Sequence, residues 1–201
     1  MPSRILLVRH GQTEWSATGR HTSRTDVPLT EAGRKAARAL GERLRQEPWN
    51  GLAGARVRTS PRRRARETCA LAGFGDRAEE WDVLVEWDYG DYEGRTSPEI
   101  RKERPGWVVW WDGVPGGEEI GQVAERADRG IAWAAEDERD ALLFAHGHFL
   151  RTLAARWLGL EPQRGASLVL SAGSLSVLGW AYGKRAIERW NDTAHMEGGP
   201  G

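Results

Sequence analysis

Cysteine is all but missing from this chain of 201 residues, where Cys69 stands alone. A single cysteine excludes an intrachain disulfide and a thiolate zinc site. Lysine is nearly as scarce. Only Lys35, Lys102 and Lys184 interrupt the arginines among 29 basic residues. These are matched by 29 acidic residues, so the formal charge is zero. That excludes a chain held to nucleic acid by bulk positive charge. No apolar run approaches the ~20 residues needed to cross a membrane, so no membrane partner is expected. The first apolar run, residues 5–8, is too short for a signal peptide, and the cytoplasm is the expected compartment. Asn191-Asp192-Thr193 has the pattern of a glycosylation acceptor, which means nothing without a secretory signal. Internal repeats and low-complexity tracts are absent.

What is present suits a globular domain. Hydrophobic residues make up 39% and charged residues 29%, both ordinary for soluble folds. The length corresponds to about one domain at ~100–200 residues each. A single domain over residues 1–197 is expected, with residues 198–201, Gly-Gly-Pro-Gly, as a flexible tail. The arginine excess, alongside abundant alanine, glycine and tryptophan, reads mainly as genome composition. Even so, the planar guanidinium is the better partner for carboxylate or phosphate.

Strand and helix patterns alternate. Residues 5–8 form a wholly apolar run, as a buried parallel strand would. Thr30 is placed to cap a helix carrying Ala32, Ala36, Leu40 and Leu44 at i+4 spacing. A weak strand over 55–59 precedes Ser60-Pro61, which predicts a hydroxyl cap and a first-turn proline. That helix should stop at Gly73. Val83-Leu84-Val85 predicts a third strand. Residues 88–117 read as an irregular, Trp-rich insertion with one short helix, and Trp107, Trp110 and Trp111 there suit either a lid or the core. Ile120, Val123, Ala124, Ala127 and Ile131 make a helical stripe. A strand over 141–145, a helix over 148–158 and a closing pair of strands follow. The alternation predicts an α/β/α three-layer sandwich on a mostly parallel sheet.

In open α/β sheets the site lies at the carboxyl ends of the strands. Arg9-His10-Gly11 follows the first strand, Ser60-Pro61 and then Arg64 the second, Glu86 the third, and His146-Gly147-His148 the fourth. Taken singly, each suits a loop, a satisfied core histidine or a solvated helix face. Together they bring two arginines, two histidines and a carboxylate to one edge. Arg9 and Arg64 can give bidentate donors to a phosphoryl dianion. A neutral imidazole can attack phosphorus, and a carboxyl can protonate the leaving alkoxide. With no ligand spacing for a metal, none is expected, and the arginines must neutralise the charge. Cys69 reads as a small buried apolar residue. His148 reads as a structural hydrogen bonder, and His21 as either loop or pocket lining.

These residues carry a family resemblance. Arg9-His-Gly-Gln-Thr-Glu-Trp15, Asp26-Val-Pro-Leu-Thr-Glu-Ala-Gly33, Thr59-Ser-Pro-Arg-Arg-Arg-Ala65 and Leu84-Val-Glu-Trp-Asp-Tyr-Gly90 are four of its segments. With Ala145-His-Gly-His-Phe-Leu-Arg151, they resemble the motifs of the histidine phosphatase (phosphoglycerate mutase-like) superfamily, in its order. The resemblance is strongest to its compact acid-phosphatase and sugar-phosphatase branch. It implies that His10 is phosphorylated, that Arg9, Arg64 and His146 bind phosphate, and that Glu86 is the acid and base. Ser16, Thr22, Ser23, Tyr89 and Gly147 fall at or beside expected phosphate or substrate contacts. Ser16 and Ser23 stand where many relatives have Asn and Gly. The implied activity is metal-independent, cofactor-free hydrolysis of a small phosphorylated metabolite. The alternative is a phosphoglycerate mutase-type transfer, which needs a basic segment after the acid. Here that segment holds no lysine before Lys102. A module that reads phosphate without cleaving it, and a nucleic-acid binder, are weaker readings. Among protein partners only a second copy of the chain is left open.

Overall fold

Ile-Leu-Leu-Val in strand β1 (Ile5–Arg9) turns apolar side chains to both faces of a sheet, so both faces have to be covered. A computed structural model, describing residues 3–196, covers both. The other strands are β2 (Arg56–Thr59), β3 (Ala78–Glu80), β4 (Ala141–Ala145), β5 (Leu175–Ala181) and β6 (Lys184–Asp192). They pair in the order β3-β2-β4-β1-β5-β6. The first four in that order are mutually parallel, and β5 and β6 close the sheet antiparallel, as the mostly parallel sandwich requires.

Leu6 and Val8 pack with Leu40 and Leu44 of helix α2 (Glu31–Arg45) and Cys69 of α3 (Arg63–Leu71). On the other face, Ile5 and Leu7 share a core with Val123 and Ile131 of α6 (Ile120–Ala135) and Phe149 and Leu153 of α7 (Gly147–Trp157). Thr30 caps α2 as expected, accepting from the Gly33 N–H. The buried face of α2 is shifted, however. It runs through Gly33, Ala37, Leu40, Gly41 and Leu44, not Ala32 and Ala36. The cause is close approach: a Cβ on Gly33 would lie 2.3 Å from the Gln12 carbonyl oxygen. Only glycine lets the helix start press against the segment that follows His10.

Three other expectations change. Ser60 does not cap α3. Arg62 holds the cap position without a side-chain bond, and Asp26 accepts from the Arg63 N–H at 2.7 Å from 37 residues away. The triplet Val83-Leu84-Val85 is not a strand. Residues 82–84 form a 3-10 turn whose apolar side chains sink into the core. The third strand is instead Ala78–Glu80, an edge strand with little burial. The Trp-rich segment holds two short helices rather than one, α4 (Ser97–Glu103) and α5 (Val109–Asp112), besides a four-residue α1 (Glu14–Ala17) earlier in the chain. Trp107 and Trp110 are core, whereas Trp111 is 65% exposed. His195 is tied down by a 3.0 Å bond to the Gly173 carbonyl. The expected flexible tail at 198–201 lies outside the described residues. Among those residues, no helix is long and apolar enough to cross a membrane.

Candidate active site

The ends of β1, β4 and β2 are tied to one another. The His10 N–H donates to the Ala145 carbonyl at 3.0 Å, and the Ser60 N–H to the Phe144 carbonyl at 2.9 Å. Arg9, His10, Glu86 and Gly147 thereby open onto one cavity of about 330 Å³. Ser16, Thr22 and Tyr89 line it as well.

His10 is buried, and its Nδ1 lies 2.8 Å from the Gly11 carbonyl oxygen. A carbonyl can only accept, so Nδ1 carries the proton and Nε2 keeps its lone pair. Burial, and then the charges of Arg64 and Arg9, push the His10 pKa well below the ordinary imidazole range. Gly11 is fixed in turn, since its N–H donates to the Thr68 hydroxyl at 2.9 Å, which donates to the Arg64 carbonyl.

Arg9 reaches under Gly147. A Cβ at Gly147 would lie 3.3 Å from the Arg9 guanidinium carbon, so the glycine makes room for it. One Arg9 Nη donates to the Leu170 carbonyl, but Nε is buried with no partner. An unpaired buried guanidinium N–H is costly, and an anion is its natural acceptor.

Arg64 is fully buried beside the cavity rather than on its wall. It donates to the carbonyls of Thr25, Thr22 and Ser23 at 3.0, 3.0 and 3.2 Å. Its Nε donates to His146 Nδ1 at 3.2 Å. His146 must therefore carry its proton on Nε2, which donates to Ser60 Oγ at 2.8 Å. The His10 and His146 rings stand 5.2 Å apart. Burial first, then Arg64, holds His146 neutral.

Glu86 does not follow a strand. Its carboxylate is aimed by the start of α7, accepting from the N–H groups of Trp87, His148 and Phe149 at 2.9, 3.0 and 2.8 Å. Tyr89 is buried and shares a 2.6 Å bond with His148 Nδ1, and burial raises its phenol well above 10.

The predicted contact residues divide. Thr13 caps α1 and the Ser16 hydroxyl completes the box, accepting from the Thr13 N–H at 2.8 Å, while the Thr22 hydroxyl donates to the Arg20 carbonyl at 2.9 Å. Ser23 is off the cavity wall, because its hydroxyl and N–H are bound by Glu93. Sequence reasoning gave Ser60 only a capping role and assigned none to Thr68, Glu93 or Arg151. Arg151 lines the cavity with no carboxylate partner among the described residues, its guanidinium 4.9 Å from the Trp110 ring. Ser60 and Arg151 lay inside the quoted motifs, the only signal available. Among the described residues, no group of three or more His, Cys, Asp or Glu is placed to hold a metal ion.

The model of the histidine phosphatase superfamily, branch 1, matches residues 5–193. The chain belongs to this superfamily. As a histidine phosphatase it is 42% identical to an acid phosphatase of Mycobacterium tuberculosis, over 96% of this chain and 95% of that one. It is 40% identical to the sedoheptulose 1,7-bisphosphatase of Saccharomyces cerevisiae, over 82% and 72%. A solved open-reading-frame product of Mycobacterium tuberculosis superposes with a TM-score of 0.88 at 40% identity, over 95% and 98% of the two chains. The sheet order and its covering helices are thus those of the phosphoglycerate mutase-like fold.

The neutral histidines of this site carry a cost at low pH. His10, His146 and His148 are held well below 6.5 by burial, and His21 is lowered to about 4. In the unfolded chain all four titrate near ~6.5. Below that value the unfolded chain binds protons the folded one refuses, so stability is intact above it and lost as pH falls. The melting temperature is expected to drop between pH 6.5 and about 4.5, before most carboxylates titrate. A flat melting profile across that window would contradict the burial of these imidazoles.

Proposed function

We propose that this histidine phosphatase hydrolyses small phosphomonoesters without a metal, through a phosphohistidine on His10. The observation that carries the reading is His10 itself. It is a neutral, buried imidazole with Nδ1–H anchored and Nε2 free, set beside an Arg9 whose Nε lacks a partner. In this reading the phosphoryl oxygens take up the free donors of Arg9, with Arg64 and His146 beside them, and the two guanidinium charges do what a metal would. Nε2 attacks phosphorus, and the bond from phosphorus to the ester oxygen breaks. The Glu86 carboxyl gives its proton to the departing alkoxide. Water then attacks the phosphohistidine, Glu86 takes back a proton, and the P–N bond breaks to release phosphate.

A cavity of about 330 Å³ suits a small metabolite. The acid phosphatase and the sugar bisphosphatase among its relatives support hydrolysis over transfer. The mutase reading is the weaker one.

A panel of phosphomonoesters, assayed with purified protein and EDTA throughout, tests the proposal. Turnover is expected to survive the chelator. Complete loss in EDTA, restored by a divalent ion, would overturn the metal-free mechanism.

A further inference from the structure

Glu86 stands on backbone that belongs to no helix or strand, between the 3-10 turns at Asp82–Leu84 and Gly90–Tyr92. A proton donor misplaced by about 1 Å can lose ~10²-fold in rate, so this backbone needs a rigid support. Arg126 supplies it from α6. Its Nη1 donates to the carbonyls of Val83 and Val85, each at 2.8 Å, and Nη2 to that of Glu86 at 3.4 Å. Nε and Nη2 also grip the Glu118 carboxylate at 2.8 and 2.7 Å. Every one of the five guanidinium N–H groups is thereby used. Glu118 accepts from the Asp88 N–H at 3.0 Å, and its backbone carbonyl accepts from the Trp87 indole at 2.8 Å. Beneath the guanidinium, 5.1 Å away, lies the ring of Phe149, whose N–H holds Glu86 Oε1. The start of α7 thus grips the acid by its carboxylate, and Arg126 with Glu118 grips it by its backbone.

We propose that Arg126 and Glu118 are positioning residues that fix Glu86 for proton transfer to the leaving group. Neither lines the cavity onto which His10 opens, where the phosphoryl group would sit; with Glu86 both line a separate one of about 250 Å³. The inference rests on the reading of Glu86 as the acid, and the test separates the two. Lysine has three donors and no plane, so it cannot replace a five-donor fork. The measurement is kcat/KM for an alkyl phosphate and for p-nitrophenyl phosphate, whose phenolate leaves without a proton. The quantity read is the alkyl-to-aryl ratio, which does not depend on how much of a variant is folded.

Glu86→Gln is expected to lower this ratio by ~10²-fold or more, the range of general acid catalysis. Arg126→Lys, Arg126→Gln and Glu118→Gln should each lower it by roughly 10-fold, as for a misplaced donor. A clamp that served folding alone would cut both esters equally and leave the ratio untouched. If Glu86→Gln collapses the ratio while all three clamp variants leave it unchanged, the positioning role is wrong and the acid assignment stands. A ratio unmoved by Glu86→Gln removes the acid assignment, and the inference with it.

Discussion

His10→Ala is expected to abolish turnover and, with it, acid-labile labelling of the protein by phosphate. The expectation follows from the hydrogen bond that fixes its tautomer. Nδ1–H is spent on the Gly11 carbonyl, so His10, which lines the cavity, keeps its lone pair on Nε2. His146, 5.2 Å away, cannot take its place. Its Nδ1 accepts from Arg64 and its Nε2–H faces Ser60, so neither nitrogen presents a free lone pair. A covalent phosphoryl-enzyme needs such a lone pair. His146→Ala should therefore slow turnover and keep the label, and His10→Ala should lose both. Rapid quench of the enzyme with a labelled ester reads this directly. Label persisting in His10→Ala would refute the assignment of the nucleophile.

Why His10 could be found from sequence, and parts of its surroundings could not, comes down to which residues are buried in runs. Strands β1 and β4 are covered on both faces, and five consecutive apolar residues in β4 announce it. Their ends then locate Arg9, His10 and His146. Strand β3 is different. Ala78-Glu-Glu80 is a half-exposed edge with no apolar pattern, and it could not be read. The adjacent triplet Val83-Leu84-Val85 took its place, because a short apolar run looks alike in a strand and in a buried turn. Glu86 was still placed at the site, by the wrong route. What aims it is the start of α7 and the Arg126 fork, and neither contact is close in sequence.

The same limit explains Ser60. Ser-Pro before a helix normally signals a cap. Here Asp26 takes the Arg63 N–H of the first turn, and the Ser60 hydroxyl accepts from the Arg62 N–H and from His146 Nε2. A local signal was overridden by a partner 37 residues away. In the loop from Thr22 to Thr25, the resemblance implies substrate contacts at or beside Thr22 and Ser23. Its structural part is larger: its carbonyls face Arg64 and its N–H groups face Glu93.

That loop sets the size of the second effect. Arg64→Lys should lower turnover by ~10²-fold or more, the scale of one lost transition-state donor. The geometry gives the reason. One planar fork holds three loop carbonyls and the Nδ1 of His146 at the same time. An ammonium has three donors and cannot spread them over that plane. His146 would lose the bond that sets its tautomer, and at least one buried carbonyl would lose its donor, at ~1–3 kcal/mol each. The melting temperature should fall along with turnover, so active-site titration from the burst amplitude must correct for folded enzyme. The deficit per active site is the quantity predicted. Arg63 serves as the control. Its side chain is 55% exposed and pairs only loosely with Glu67, at 3.8 Å. Exposed pairs of this kind contribute ~0–1 kcal/mol, so Arg63→Lys should be nearly silent in both readouts. Equal losses at Arg63 and Arg64 would mean that α3 presents a different face to the site. Full turnover in Arg64→Lys would mean that a point charge at this position suffices and the planar fork is not needed.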